Sequence, residues 1–169
     1  MRSAARLLVI ALMLTLAACG WRLRGQGVTS MEGVSLFVDT AITEADVRTP
    51  VIRGIRAAGG TLAETPGQAE AVLVLLGETI QQRPVSISAE ARAQEYELAY
   101  GLRYRLETAA GQVLIPDEVV QVSEVYQYDS RNVLSTQARA ATVTERLRQN
   151  AVRLLLPRVE AALRQPARE

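Results

Sequence analysis

The residues of this chain that could do chemistry are a single cysteine, Cys19, nineteen arginines and eighteen carboxylates; there is no lysine and no histidine. Without imidazole there is no His–Ser triad, no His-ligated zinc and no imidazole general base. Neither the P-loop pattern nor the dinucleotide fingerprint occurs, and Gly59-Gly60 reads as a helix stop rather than a phosphate cradle. Asp117 and Glu118 are neighbours on a strand, so they point to opposite faces and make a poor acid–base couple. Glu95 and Glu97 share a face with Arg103 and Arg105, where ion pairing is the expectation. A glycosidase-type couple needs two carboxylates at a set separation, and no pair is singled out. The reading is of a protein that is not an enzyme, with no catalytic residues, no metal site and no cofactor.

The remaining reactive group is the Cys19 thiol, and its surroundings explain it. Arg2 and Arg6 form a basic start, and Leu7 to Ala18 is an apolar run interrupted only by Thr15. That run of about 12 residues has the make-up of a secretory signal and is shorter than the ~20 residues that span a bilayer. It ends Leu16-Ala17-Ala18-Cys19, which resembles the lipobox of bacterial lipoproteins. The resemblance implies cleavage after Ala18, diacylation of the Cys19 sulfur and acylation of its new amine. Several acyl chains hold a protein at a membrane where one does so only marginally. Gly20 stands where an aspartate signals inner-membrane retention in enteric-type lipoproteins, so the expected place is the periplasmic side of the outer membrane.

Residues 19–169 then form a mature chain of 151 residues with 17 basic and 18 acidic side chains. That length suits one domain, and the balance gives no reason to expect a nucleic-acid partner. Residues 19–33 read as a lipidated tether, 34–165 as a single α+β domain and 166–169 as a tail. Val34–Asp39 is a candidate strand. A helix is expected between about Glu44 and Ala58, with Pro50 in its first turn. Ala71–Leu76 is apolar on both faces and opens a second strand. In YELAYGLRYRLE the even positions Tyr96, Leu98, Tyr100, Leu102, Tyr104 and Leu106 are apolar or aromatic, the mark of a strand with one buried face. The tyrosines are expected in the core beneath the helices. Val113–Asp129 reads as its antiparallel partner, bulged at Pro116-Asp117. Thr136–Arg164 carries Val143, Leu147, Ala151, Leu154 and Leu155 at helical spacing, with Pro157 predicting a kink or an early end. The resulting order predicts two helices packed on one face of a roughly four-stranded mixed sheet, with strands long enough to project beyond the helices.

Cys19–Gly25 (CGWRLRG), the segment EYELAYGLRYRLETAAGQVLIPDEVVQVSEVYQYD and the arginine-rich last helix together resemble the LPS-assembly lipoprotein LptE family. The resemblance implies two helices on a four-stranded sheet, a non-catalytic role, and a place inside the lumen of the LptD β-barrel, where the two deliver lipopolysaccharide to the outer leaflet. It also implies lipopolysaccharide contacts by basic residues near the two ends of the central hairpin. Arg83 and Arg92 lie near the first place, and Arg131 and Arg139 near the second, while Ala89 and Gln137 occupy the positions closest to the relatives' basic residues. The alternative reading is a free-standing periplasmic lipoprotein that binds a small amphiphile in its own cavity.

Overall fold

In the computed structural model, residues 29–40, 47–87, 93–128 and 133–164 are described. The elements are β1 (Ser35–Thr40), α1 (Arg48–Ala57), β2 (Thr61–Leu62), a short 3-10 turn (Pro66–Gln68), β3 (Ala71–Ile87), β4 (Ala93–Thr108), β5 (Val113–Gln127) and α2 (Val133–Arg164). The sheet order is β2-β1-β3-β4-β5. β1 runs parallel to β2 and β3, while β4 is antiparallel to β3 and to β5. The α+β class, the two helices and the mixed sheet are as the sequence predicts, with the two-residue β2 added as a fifth strand at one edge.

The even register of β4 is the buried one. Leu98, Tyr100, Leu102, Tyr104 and Leu106 are buried, together with Ile115, Val120 and Tyr126 of β5 and Leu73 and Leu75 of β3. Tyr96 packs against this core from its rim. The helices close over it with Val51 and Ile55 of α1 and Val143, Leu147, Ala151, Leu155 and Val159 of α2. The two helices meet at Gly54, where an added Cβ would lie 2.8 Å from Leu156 Cδ1 and 2.9 Å from Val152 Cγ1. Gly59 ends α1 as expected, taking φ +84, while the Gly60 N–H donates to the Ile55 carbonyl.

Three sequence expectations meet their physical detail here. The bulge falls at Pro116-Asp117, between the pairs Leu106↔Ile115 and Tyr104↔Glu118. β3 continues through Gln81–Ile87, which opens on three polar residues and contains a proline, because β4 supplies its ladder of backbone bonds. Pro157 does not end α2, which runs on to Arg164. Its ring lies on an exposed side of the helix, so the carbonyl it leaves without an N–H donor can be satisfied by water.

Candidate functional site

Residues paired directly across a sheet point to the same side, so the register divides the three long strands into two faces. On the helix side lie the rows Glu78–Leu102–Val120, Ile80–Tyr100–Val122 and Pro84–Tyr96–Tyr126. On the opposite, open side lie Thr79–Gly101–Gln121, Gln81–Ala99–Ser123 and Arg83–Glu97–Val125. The open side is polar, and its middle column is small. Gly101 and Ala99 form the floor of a trough walled by the side chains of β3 and β5. The trough comprises one depression of about 690 Å³ bounded by Gln81, Arg83, Glu97 and Ser123, and an adjoining one of about 160 Å³ over Gly101. Amides and hydroxyls both donate and accept. This face can therefore hydrogen-bond to a polar surface without demanding charge from it.

The helix side is fastened by arginines of α2 that reach carboxylates of the sheet. Arg148 Nε donates to Glu78 Oε1 at 2.9 Å, and the Tyr100 hydroxyl donates to the same oxygen at 2.6 Å. Arg158 stands 3.6 Å from Glu118 Oε2, which also accepts from the Tyr104 hydroxyl at 3.1 Å. Arg146 pairs with Glu124 at 3.0 Å. These contacts fix α2 over β4 and β5, and among the described residues no element covers the other side of those strands. Glu78 and Arg148 are largely shielded from water, so the pair is far costlier to break by halves than a surface pair.

Burial pushes the Tyr100 phenol well above its ordinary range, and the Glu78 carboxylate beside it adds to the rise. Tyr104 is raised by burial, and Tyr126 by burial and by the tyrosines around it. Tyr126 stacks on Tyr96 at 6.3 Å between centroids, and Tyr96 meets Tyr128 edge-on at 5.0 Å. A phenol whose folded value is raised stabilises the fold in full below the ordinary tyrosine value of about 10. That contribution is lost as pH rises from there toward the folded value. In an alkaline titration, Tyr100 is expected to ionise only as the far-UV circular dichroism collapses. Phenolate absorbance from Tyr100, assigned by comparison with Tyr100→Phe, appearing while the fold is intact would contradict this.

Of the residues marked from sequence, Arg83 lies on the open face, where its guanidinium pairs with Glu97. That contact, with a hydrogen bond to Ser123, holds the Glu97 carboxyl below its ordinary value. Arg139 is exposed on the first turns of α2, on the other side of the sheet. The fold therefore does not bring Arg83 and Arg139 together. Cys19, Arg92 and Arg131 lie outside the described residues. The expected ion pairing of the β4 charges occurs with other partners: Glu97 with Arg83, and Arg105 with Glu107 at 2.7 Å and Asp117 at 3.7 Å. The trough itself is legible only in hindsight, as Ala99 and Gly101 interrupting the charged odd register of β4 between Glu97 and Arg103.

No curated protein matches the sequence. Among solved structures the fold is similar to an uncharacterized lipoprotein B from Nitrosomonas europaea, at 20% identity and TM-score 0.69, covering 84% of this chain and 91% of that one. It is also similar to the rare lipoprotein B from Shewanella oneidensis, at 15% identity and TM-score 0.66, covering 75% and 94%. A minor lipoprotein from Acinetobacter baumannii matches at 16% identity and TM-score 0.62, covering 78% and 96%. At these identities the likeness is one of fold. Residues 31–159 match the family model for LptE, described as lipopolysaccharide-assembly. That span holds both helices nearly whole, all five strands and the trough, so the chain belongs to the LptE lipopolysaccharide-assembly family.

Proposed function

We propose that this chain is the lipid-anchored, non-catalytic subunit of an outer-membrane lipopolysaccharide translocon, and that it fills the lumen of an LptD-type β-barrel. The observation that carries this reading is the division of the sheet: the helices pack on one face, and the other presents a broad, nearly neutral and largely polar surface, with Val119 and Val125 exposed on it. Barrel interiors of outer-membrane proteins are polar. A sheet face of amides, hydroxyls and the Arg83–Glu97 pair suits such a wall, and the arginine clasp holds α2 on the opposite face. Cys19 carries the acyl anchor on the periplasmic side of the membrane, after removal of residues 1–18. Arg83, Arg92, Arg131 and Arg139 are the candidates for meeting lipopolysaccharide phosphates, since a guanidinium binds phosphate through two parallel hydrogen bonds.

A tag placed after Glu169 tests the assignment by pull-down from outer membranes solubilised in mild detergent. One large barrel protein recovered in equal amount is the expected result. Recovery of the lipoprotein alone overturns the plug role and makes the free-standing amphiphile binder the leading reading. That alternative needs space inside the domain, and Tyr100, Tyr104, Leu102, Leu147 and Leu155 fill the region between helices and sheet.

A further inference from the structure

The described arginines differ in whether a carboxylate meets them. Arg83 and Arg105 on the sheet, and Arg146, Arg148, Arg158 and Arg164 on α2, each stand within ion-pair reach of one. α1 carries Arg48, Arg53 and Arg56, all exposed, and no acidic residue. Among the described residues none of these three has a carboxylate partner. Arg153 of α2 reaches only the side chain of Asn150. Arg53 and Arg153 rim one depression of about 200 Å³ between the helices, lined between them by Pro50, Ala57 and Val152. Glu145 and Glu160, about two turns before and after Arg153, are already engaged by Arg148 and Arg164. Glu32, beside Gly59 at the end of α1, pairs with none of these arginines. Arg103 on the open face and Arg139 near the start of α2 also lack a described carboxylate partner, but only between α1 and α2 do such arginines gather.

The chain enters the fold beside this patch. Met31 is fully buried, and its N–H donates to the Ala58 carbonyl at 2.7 Å. The Ser30 carbonyl accepts from Arg164 Nη2 at 3.3 Å. Ser30 and Met31 are thereby tied to the C-terminal ends of both helices. Ten residues, 19–28, lead from Cys19 to Thr29, where the described chain begins. Ten residues reach at most about 35 Å. With Cys19 acylated, the phosphate layer of the membrane lies within that distance of the end of α1. The trough is elsewhere: α1 packs on β1, β2 and α2, whereas the trough lies on β3–β5 beyond the last β1 pair, Leu75↔Thr40, and on the other side of the sheet.

We propose that Arg53 and Arg56 of α1, with Arg153 of α2, dock the domain on the surface of an anionic phospholipid membrane, a lipid phosphate lying between Arg53 and Arg153. A guanidinium binds phosphate through two parallel hydrogen bonds, and no carboxylate of the described fold competes for these three. Pro50, Ala57 and Val152 offer apolar contact to the glycerol and first methylenes beside that phosphate. The anchor keeps the patch near the surface, so docking is intramolecular and needs little affinity of its own. Each basic residue near an anionic surface multiplies the docked population about fivefold, and three together give on the order of 100-fold. The inference rests on the acyl anchor at Cys19 and not on the barrel reading.

The test uses the full lipidated chain in vesicles of phosphatidylethanolamine and phosphatidylglycerol that carry a short-range fluorescence quencher on the lipid headgroup. Cys19 is the one native cysteine, and acylation occupies its sulfur, so an introduced thiol takes the fluorophore alone. Thr49→Cys places it on the exposed side of α1, four and seven residues before Arg53 and Arg56, and Gln121→Cys places it on the open face. Quenching is expected at position 49 and not at 121. Replacing Arg53, Arg56 and Arg153 together by Gln is expected to lower docking about 100-fold and abolish the quenching. That variant still floats with the vesicles and unfolds thermally as the parent chain does. High salt abolishes the quenching too, because it screens exposed charges. A floating chain whose position 49 stays unquenched overturns the docking and leaves the anchor standing. So does equal quenching at both positions, or quenching that survives the triple substitution. A chain that does not float overturns the anchor and the docking together. Because no barrel is present, none of these outcomes bears on the pull-down.

Discussion

Tyr100→Ala is expected to destabilise the domain by about 3–5 kcal/mol, the usual cost of removing a buried aromatic ring. The ring is fully buried at the centre of β4, between Leu98 and Leu102 on the helix side. Its loss opens a void under α2, and it strips the Glu78–Arg148 pair of the hydroxyl donated to the shared carboxylate oxygen. Tyr100→Phe keeps the ring and deletes only that hydrogen bond, so a cost of about 1 kcal/mol is expected. Urea unfolding followed by circular dichroism measures both. If alanine cost no more than phenylalanine, the ring would not be the keystone of this core, and the clasp would carry the stability instead.

One residue further along the strand the expectation reverses. Gly101 faces the open side, and an added Cβ would lie 3.5 Å from Val119 Cγ1 and 3.8 Å from Thr79 Cβ, which are ordinary contacts. Glycine in a strand interior is a weak choice for stability, so Gly101→Arg is expected to leave urea unfolding unchanged or slightly improved. Its guanidinium would instead fill the trough and place an unpaired charge in any interface formed there. A charge buried without a partner costs about 2 kcal/mol or more, which is roughly a 30-fold loss of affinity. Recovery of the barrel with a tagged Gly101→Arg chain should fall accordingly, while Gly101→Ala, which adds one methyl, retains it. Full recovery with Gly101→Arg would move the docking surface away from the trough. The two adjacent substitutions thus separate folding from docking, because alternate residues of a strand serve opposite faces.

Much of the architecture could be read along the chain because it is periodic. Six apolar residues on the even positions of β4 assign its buried face without reference to any neighbour, and Pro116-Asp117 marks the bulge by chemistry local to two residues. The stop at Gly59-Gly60 and the apolar side of α2 follow from the same kind of local rule. β3 beyond Ile80 could not be read in this way, since Gln81–Arg83 is a run of polar residues and Pro84 follows it. Its strand conformation comes from pairing with Ala93–Ala99 of β4. β2 is likewise a strand only because β1 lies beside it.

By itself, then, the order of residues determined the class of fold, the hairpin and its buried face. Side-chain periodicity and backbone chemistry act over a few residues and need no partner. Only the tertiary structure decided that Glu78 meets Arg148, seventy residues away in sequence. It alone decided that Arg83 and Arg139 stand on opposite sides of the sheet and that Ala99 and Gly101 floor a trough. These depend on strand register and helix placement, which are set by the joint burial of distant apolar faces.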